Sequence, residues 1–344
     1  MAHPVRCPSV CRRTFGSAVR DHQRCDDNGG GVGCRRALLS RWSAAAAPPP
    51  RDVAAVNYDS PRDIIESLRR HHIGPKKRWG QNFLIDGNVR RAIAALAMRD
   101  EAETLWEIGP GIGALTELLV QTGPVTAFEI DWGIIRFLKR QFERAPLSIV
   151  AGDAVATIGL TARDGAHGTP DVVVGNLPYR RAAAIIAALV DLQPPPRRIV
   201  VTVQKEMAER LVAAPGTRDY SAFSVTVQSV CSVERAFDIS AACFYPAPEV
   251  ISTVVKLTRR DDRLIPVDRA LFLRVKDALF ARRRKTVVNN LKHCGNAGVS
   301  DAQQARLLLQ RCGIDPAARA ETLAPEAFVR LADEVYRLQQ STIV

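Results

Sequence analysis

No stretch of the sequence approaches the roughly 18 consecutive apolar residues that a membrane-spanning helix needs, so the chain is expected to remain in water. It shows no secretion signal, and its eight cysteines do not fall at metal-binding spacings. Cys7, Cys11, Cys25 and Cys34 begin with a C-x3-C but continue with gaps of 13 and 8, and Cys231, Cys243, Cys294 and Cys312 are scattered. A zinc site and a disulfide framework are therefore both set aside, which leaves reduced thiols, no metal and a cytoplasmic setting as the expectation. The Gly-Lys-Ser/Thr of a nucleotide phosphate loop is missing as well.

Acidic residues are scarce at the two ends. Residues 1–52 carry 9 basic and 4 acidic groups, residues 53–255 are balanced at 22 and 22, and residues 256–344 carry 17 and 10. A neutral middle with basic flanks suits a catalytic core whose polyanionic partner is held by appendages, as a phosphate backbone would be. The first segment (1–52) mixes Arg, Gly and Ala with three consecutive prolines and has neither helical nor strand period, so it reads as a disordered basic extension. A transit-like leader and a translation start placed too early, the protein beginning near Val53 or Val56, are the other two readings.

Two further segments follow: 53–257 and 258–344. Ser60 and Pro61 announce a short helix, and the run from Arg69 to Arg78 holds five Lys/Arg and no acid, with Lys76, Lys77 and Arg78 placed to clamp phosphates. Asp86 is positioned to cap a helix over 89–98. From 104 onward strands and helices alternate, which predicts an α/β fold with a parallel sheet covered on both faces. The expected strands are 104–108, 125–130, 147–151, 171–175 and 199–203, with a late pair at 223–230 and 251–257. The helices are 114–121, 132–144, 182–192 and 205–213. No element is assigned between 154 and 170, and the strand order is not legible. Beyond 258 the pattern is helical: 267–281, 285–291, 301–310 behind a Ser300/Gln303 capping box, and 325–338. This predicts a small all-α second domain.

Polar residues punctuate the expected strand ends. The turn Gly109-Pro110-Gly111-Ile112-Gly113 follows the first strand without matching the dinucleotide fingerprint, and Glu129 lies 20 residues after Gly109 at the end of the second strand, where an acid can accept from ribose hydroxyls. With Asp153 after the third strand and Asn176 after the fourth, four polar ends should converge at a switch point of the sheet. Asn82 and the backbone of Leu84 are placed to line the same ligand. Asn176-Leu177-Pro178-Tyr179 combines a carboxamide, backbone carbonyls beside a residue without an N–H, and an aromatic ring. That combination suits the gripping of a flat heterocycle that bears an exocyclic amine.

Taken together, Gly80-Gln-Asn-Phe-Leu, Glu107-Ile-Gly-Pro-Gly, Gly152-Asp-Ala, Asn176-Leu-Pro-Tyr, Phe244-Tyr-Pro-Ala-Pro and Arg283-Arg-Lys resemble, in this order, the S-adenosylmethionine-dependent small-subunit rRNA adenine N6,N6-dimethyltransferases (the KsgA/RsmA family). The resemblance runs from about Asn57 to the C-terminus and does not cover 1–52. It implies a Rossmann-like class I methyltransferase sheet with S-adenosylmethionine as cofactor, contacted by Asn82, Leu84, Gly109, Gly111, Glu129, Asp153 and Asn176. Glu129 would take the ribose hydroxyls and Asp153 the adenine amine of the cofactor. Tyr179 and Phe244 would stack a flipped target adenine, whose amine meets the Asn176 side-chain oxygen and the Leu177 carbonyl, with Pro178 keeping the loop extended. Arg282, Arg283, Arg284 and Lys285 would contact the rRNA backbone. The implied activity is dimethylation of two adjacent adenosines in the 3′-terminal hairpin loop of small-subunit rRNA, by a monomer working on a pre-30S particle. A macrolide-resistance type of large-subunit adenine methyltransferase and a non-catalytic RNA-binding relative are the alternatives. Leu177 and the long basic C-terminal segment disfavour the first, the intact turn and acids the second.

Overall fold

The computed structural model describes residues 56–74, 81–98, 103–262, 264–293, 299 and 301–343. The extension 1–52 and the cations Lys76, Lys77 and Arg78 lie outside the described residues. Ser60 caps helix α1 (Pro61–Arg70) by accepting from the Asp63 N–H at 3.2 Å. The helix closes with the Ile73 N–H on the Leu68 carbonyl at 2.8 Å, His72 taking the left-handed position at φ 52. After the short strand β1 (Phe83–Leu84), Asp86 caps α2 (Gly87–Leu96), accepting from Asn88 and Val89 N–H at 2.9 Å each, as its position in the sequence predicts.

The sheet then builds as strand–helix repeats: β2 (Leu105–Ile108), α3 (Thr116–Leu119), β3 (Val125–Glu129), α4 (Trp132–Gln141), β4 (Leu147–Ala151), α5 (Ala154–Asp164), β5 (Val172–Asn176), α6 (Ala182–Val190), β6 (Arg198–Gln204) and α7 (Lys205–Val212). Strands β2 and β5 are buried through nearly all of their length, which is why they read as continuous apolar runs instead of alternating ones. Helix α5 fills the stretch to which the sequence assigns no element; its signal is Asp153, whose carboxylate caps it by accepting from Val155 N–H at 3.0 Å.

One expectation fails. The β-branched run at 223–230 is a helix, α8 (Ala222–Gln228), and the strand comes after it as β7 (Cys231–Ile239). Ser221 and Ser224 form a reciprocal capping box, and Val225 and Val227 point into two different apolar clusters, so the helix is wanted on both sides despite its strand-like composition. Then come β8 (Phe244–Tyr245), paired antiparallel with β1, and β9 (Ser252–Arg259). The sheet order is β4-β3-β2-β5-β6-β9-β7, with β9 antiparallel to both β6 and β7 and the remaining pairs parallel. The chain steps outward from β2 through β3 to β4, then returns to the other side of β2 with β5. The switch point lies between β2 and β5, and their C-terminal ends are where a ligand is expected.

The C-terminal elements are helical: α9 (Arg269–Phe280), α10 (Val287–Leu291), α11 (Ala302–Arg311) and α12 (Pro325–Ile343). Asp301 caps α11, accepting from Gln303 and Gln304 N–H at 2.8 Å, in place of the expected Ser300, which lies outside the described residues. The apolar cluster under these helices includes Phe272, Leu279 and Phe328 and also takes in Ala213, Tyr220 and Val225 from the preceding segment. Lys276 is buried on α9 and donates to Thr226 Oγ1 on α8 at 2.7 Å, with Asp277 at 3.0 Å; burial holds its ammonium pKa below the ordinary lysine range. Among the described residues no helix is long and apolar enough to cross a membrane.

Candidate active site

A cavity of about 420 Å³ opens at the ends of β2, β3, β4 and β5. Its floor is the glycine turn. Gly109 and Gly111 adopt φ 69 and 57, and a Cβ on Gly111 would come within 3.0 Å of the Phe83 ring, so the turn is reserved for glycine by conformation and by space. Tyr58, buried, holds the turn from behind by donating its hydroxyl to the Ile112 carbonyl at 2.5 Å. Buried Arg90 supports the same region by donating to the Ala114 carbonyl and pairing with Glu117 at 2.7 Å and Asp59 at 3.0 Å.

Two buried carboxyl groups face this cavity. Glu129, at the end of β3, uses Oε1 to accept from the Ile130 and Asp131 N–H groups at 2.9 Å each. Burial pushes its pKa up to about 7 in spite of those donors and the Gly111 N–H. Glu107, inside β2, accepts from Thr116 Oγ1 at 2.6 Å, and burial pushes it up to about 8, with the charge of Glu129 adding to the rise. Asp153 is more open. One oxygen caps α5 and the other is ion-paired with Arg181.

Asn176 ends β5 and donates its side-chain Nδ2 to the backbone carbonyl of Asn82 at 2.7 Å. A backbone carbonyl only accepts, so the carboxamide orientation is fixed by its partner, and the Oδ1 atom is the acceptor left to the cavity that Asn176 lines. Leu177 is buried and donates its N–H to Thr202 on β6 at 3.1 Å. The Tyr179 hydroxyl lies 2.7 Å from that of Ser252 on β9, tethering the ring at the cavity wall; burial raises its pKa above the ordinary value. Asn82, Leu84, Gly109, Gly111, Glu129, Asp153, Asn176, Leu177, Pro178 and Tyr179 thus all border one space. The donor set fits S-adenosylmethionine: apolar walls from Ile108, Phe128 and Ile130, and carboxylates at two strand ends.

The chain matches the family model for ribosomal RNA adenine dimethylase over residues 74–336. The chain belongs to the ribosomal RNA adenine dimethylase family. It is 39% identical over 288 residues to ribosomal RNA small subunit methyltransferase A of Treponema pallidum, covering 82% of this chain and 98% of that protein. With the protein of the same name from Myxococcus xanthus it shares 41% over 278 residues, 79% of this chain and 94% of that one. Among solved structures, a dimethyladenosine transferase from Plasmodium falciparum superimposes with a TM-score of 0.61 at 25% identity, over 72% of this chain and 95% of that chain. The 23S rRNA methyltransferase ErmE superimposes with a TM-score of 0.55 at 22% identity, over 74% and 100%, and shares the fold. This member of the family is accordingly an rRNA adenine dimethyltransferase with a Rossmann-like methyltransferase sheet.

Other residues singled out in the sequence lie elsewhere. Phe244 is 3% exposed and packs in the apolar cluster with Leu84 and Phe237, off the cavity wall. The 282–285 segment forms the turn between α9 and α10. There the Arg283 guanidinium donates to Tyr220 O at 3.0 Å and to Arg218 O and pairs with Glu321 at 3.3 Å, although Arg283, like Arg282, Arg284 and Lys285, is exposed. Glu107 and Arg181 line the cavity without a role assigned from the sequence. Glu107 was legible as an acid inside the apolar run Leu-Trp-Glu-Ile, and Arg181 as the second cation directly after the Asn-Leu-Pro-Tyr turn. Among the described residues no cluster of His, Cys, Asp or Glu gathers to hold a metal ion.

Proposed function

We propose that this chain transfers two methyl groups to the N6 amine of each of two adjacent adenosines in the 3′-terminal hairpin loop of small-subunit rRNA, as a cytoplasmic monomer working on a pre-30S particle. The observation that carries the chemistry is the Asn176–Asn82 hydrogen bond, because it leaves the carboxamide oxygen for an amine donor. When bound, S-adenosylmethionine supplies an electrophilic methyl on sulfonium; Glu129, Asp153, Asn82 and the Gly109–Gly111 turn would hold it.

The N6 amine is a poor nucleophile because its lone pair is conjugated into the ring. Acceptors at Asn176 Oδ1 and the Leu177 carbonyl engage its two N–H groups and favour a pyramidal nitrogen whose lone pair faces the methyl. Tyr179, held by Ser252, supplies the stacking surface at the wall, worth roughly 1–3 kcal/mol for a base. The methylated amine is acidic enough to lose its proton to water, so no strong base is required, and catalysis rests on positioning and exclusion of solvent. The small-subunit target is supported by the 39% and 41% identities to proteins bearing small-subunit names.

The test is methyl transfer from labelled donor to small subunits prepared from cells lacking the modification. Label is expected on two neighbouring adenosines as the dimethyl form, and Asn176→Ala is expected to abolish it. Label on large subunits, or on neither, overturns the assignment.

A further inference from the structure

Outside the cavity, the exposed surface of α4 has an unusual composition. Trp132, Arg136, Lys139 and Arg140 recur at i, i+4, i+7 and i+8 and so lie along one side of the helix, spanning about 12 Å. Trp132 is 64% exposed, although burying an indole is the more common outcome. None of the three cations has an ion-pair partner among the described residues, and over 132–144 the acid Glu143 stands against four basic groups. The stripe begins at the cavity rim, since Trp132 is three residues past Glu129 and Ile130 between them lines the wall.

The C-terminal end of α1 extends this surface. His71 packs edge-on against Phe137 of α4, ring centroids 4.9 Å apart. Burial lowers the His71 pKa first, and the positive charge of Arg140, Arg70 and His72 lowers it further, an independent sign that cations crowd together there. Arg69 and His72 are exposed, and Arg70 is shared with Glu66 at 3.0 Å. His72 holds a left-handed conformation that glycine would adopt without its cost of about 1 kcal/mol. Interleaved cations and an exposed aromatic at the rim of a base pocket suit a polyanion with stackable faces better than they suit a purely acidic protein.

Resting on the reading given under Proposed function, we propose that the α1–α4 face is an RNA-binding surface that receives the strand flanking the target adenosine, Trp132 stacking an unpaired base and Arg136, Lys139 and Arg140 neutralising the phosphates that follow it. This surface is built on α1 and α4, whereas the 282–285 turn joins α9 to α10. An RNA fragment carrying the 3′-terminal hairpin is titrated against the full chain at several salt concentrations, with Arg136→Glu/Arg140→Glu and Trp132→Ala as variants and donor affinity as the control for folding.

The charge reversal is expected to weaken RNA binding at least tenfold and to flatten the log–log salt slope by about 1.4 to 1.8, near 0.7–0.9 for each of the two lost phosphate contacts. Trp132→Ala is expected to weaken binding about fivefold or more. Donor affinity stays at the wild-type value in the charge-reversed variant. If the wild type binds the fragment and both variants match it in affinity and slope, the proposal is overturned alone. If the wild type binds no rRNA, the function assigned above falls and the proposal with it. Loss of binding to anionic phosphatidylglycerol vesicles with unchanged RNA affinity also overturns it.

Discussion

Asn176 Nδ2 reaches the backbone carbonyl of Asn82 at 2.7 Å across 94 positions of sequence, joining the end of β5 to the segment that enters β1. The bond selects which end of the carboxamide faces the cavity. Asn176→Asp places a carboxylate against that carbonyl, two acceptors with no proton between them, and Asn176→Ala removes the acceptor altogether. Both are expected to lower kcat at least 100-fold, as loss of a transition-state hydrogen-bond partner does. Single-turnover methyl transfer at saturating donor checks this; a loss confined to KM would contradict it.

Glu129 gives a pH dependence with a defined sign. Its pKa is raised by burial to about 7 from 4.5, so the free protein holds a proton there below neutrality. Ligand hydroxyls donate to the ionised form, so donor binding releases that proton, and affinity should climb several-fold from pH 6 to pH 8 and level off above about 7. Calorimetric titrations across this range are expected to give a flat profile for Glu129→Gln. Thermal stability should move the opposite way. An acid whose folded pKa is raised contributes its stability in full below about 4.5, and that contribution is lost as pH rises through about 7 for Glu129 and about 8 for Glu107.

Arg181 and Asp153 form an ion pair whose side chains are 52% and 38% exposed, so it is worth at most about 1 kcal/mol. Both Asp153 oxygens are engaged, one by Arg181 and one by the α5 cap, so an arriving amine must share or displace the guanidinium. Arg181→Ala is therefore expected to tighten donor binding about two- to fivefold, while Asp153→Ala weakens it and also costs the helix cap. Equilibrium dialysis with labelled donor distinguishes the two.

Arg283 and Arg284 are neighbours with different fates. Both are exposed, but the first engages its guanidinium with Arg218, Tyr220 and Glu321. Arg283→Ala should lower thermal stability by about 0.5–1.5 kcal/mol, since it removes hydrogen bonds to one exposed and one partly buried carbonyl. Arg284→Ala should leave stability within about 0.5 kcal/mol of wild type and reduce rRNA affinity instead. Thermal melts paired with a binding isotherm for each variant separate these outcomes.

Much of the sheet was legible because β2, β5 and β6 are buried on both faces and show as uninterrupted apolar runs, and because Asp86 and Ser60 cap helices by local rules. Strand order was not, since nothing in a run of Val and Ile states its neighbours. Helix α8 was misread because Val and Thr carry a strand signature that two-sided packing overrode at Val225 and Val227. In the site, the strand-end acids could be placed from spacing. The Arg283 contact with Tyr220, the Arg181 pair with Asp153 and the packing of Phe244 against Leu84 join residues 28 or more positions apart, which no local pattern records.

The cluster that places Tyr220 and Val225 among the C-terminal helices has a structural consequence. A chain cut after β9 would leave one side of α8, and Thr226 facing an absent Lys276, bare to water. The helical unit is thus a wall shared by two rooms, and exchanging it whole would strip the packing from one side of α8.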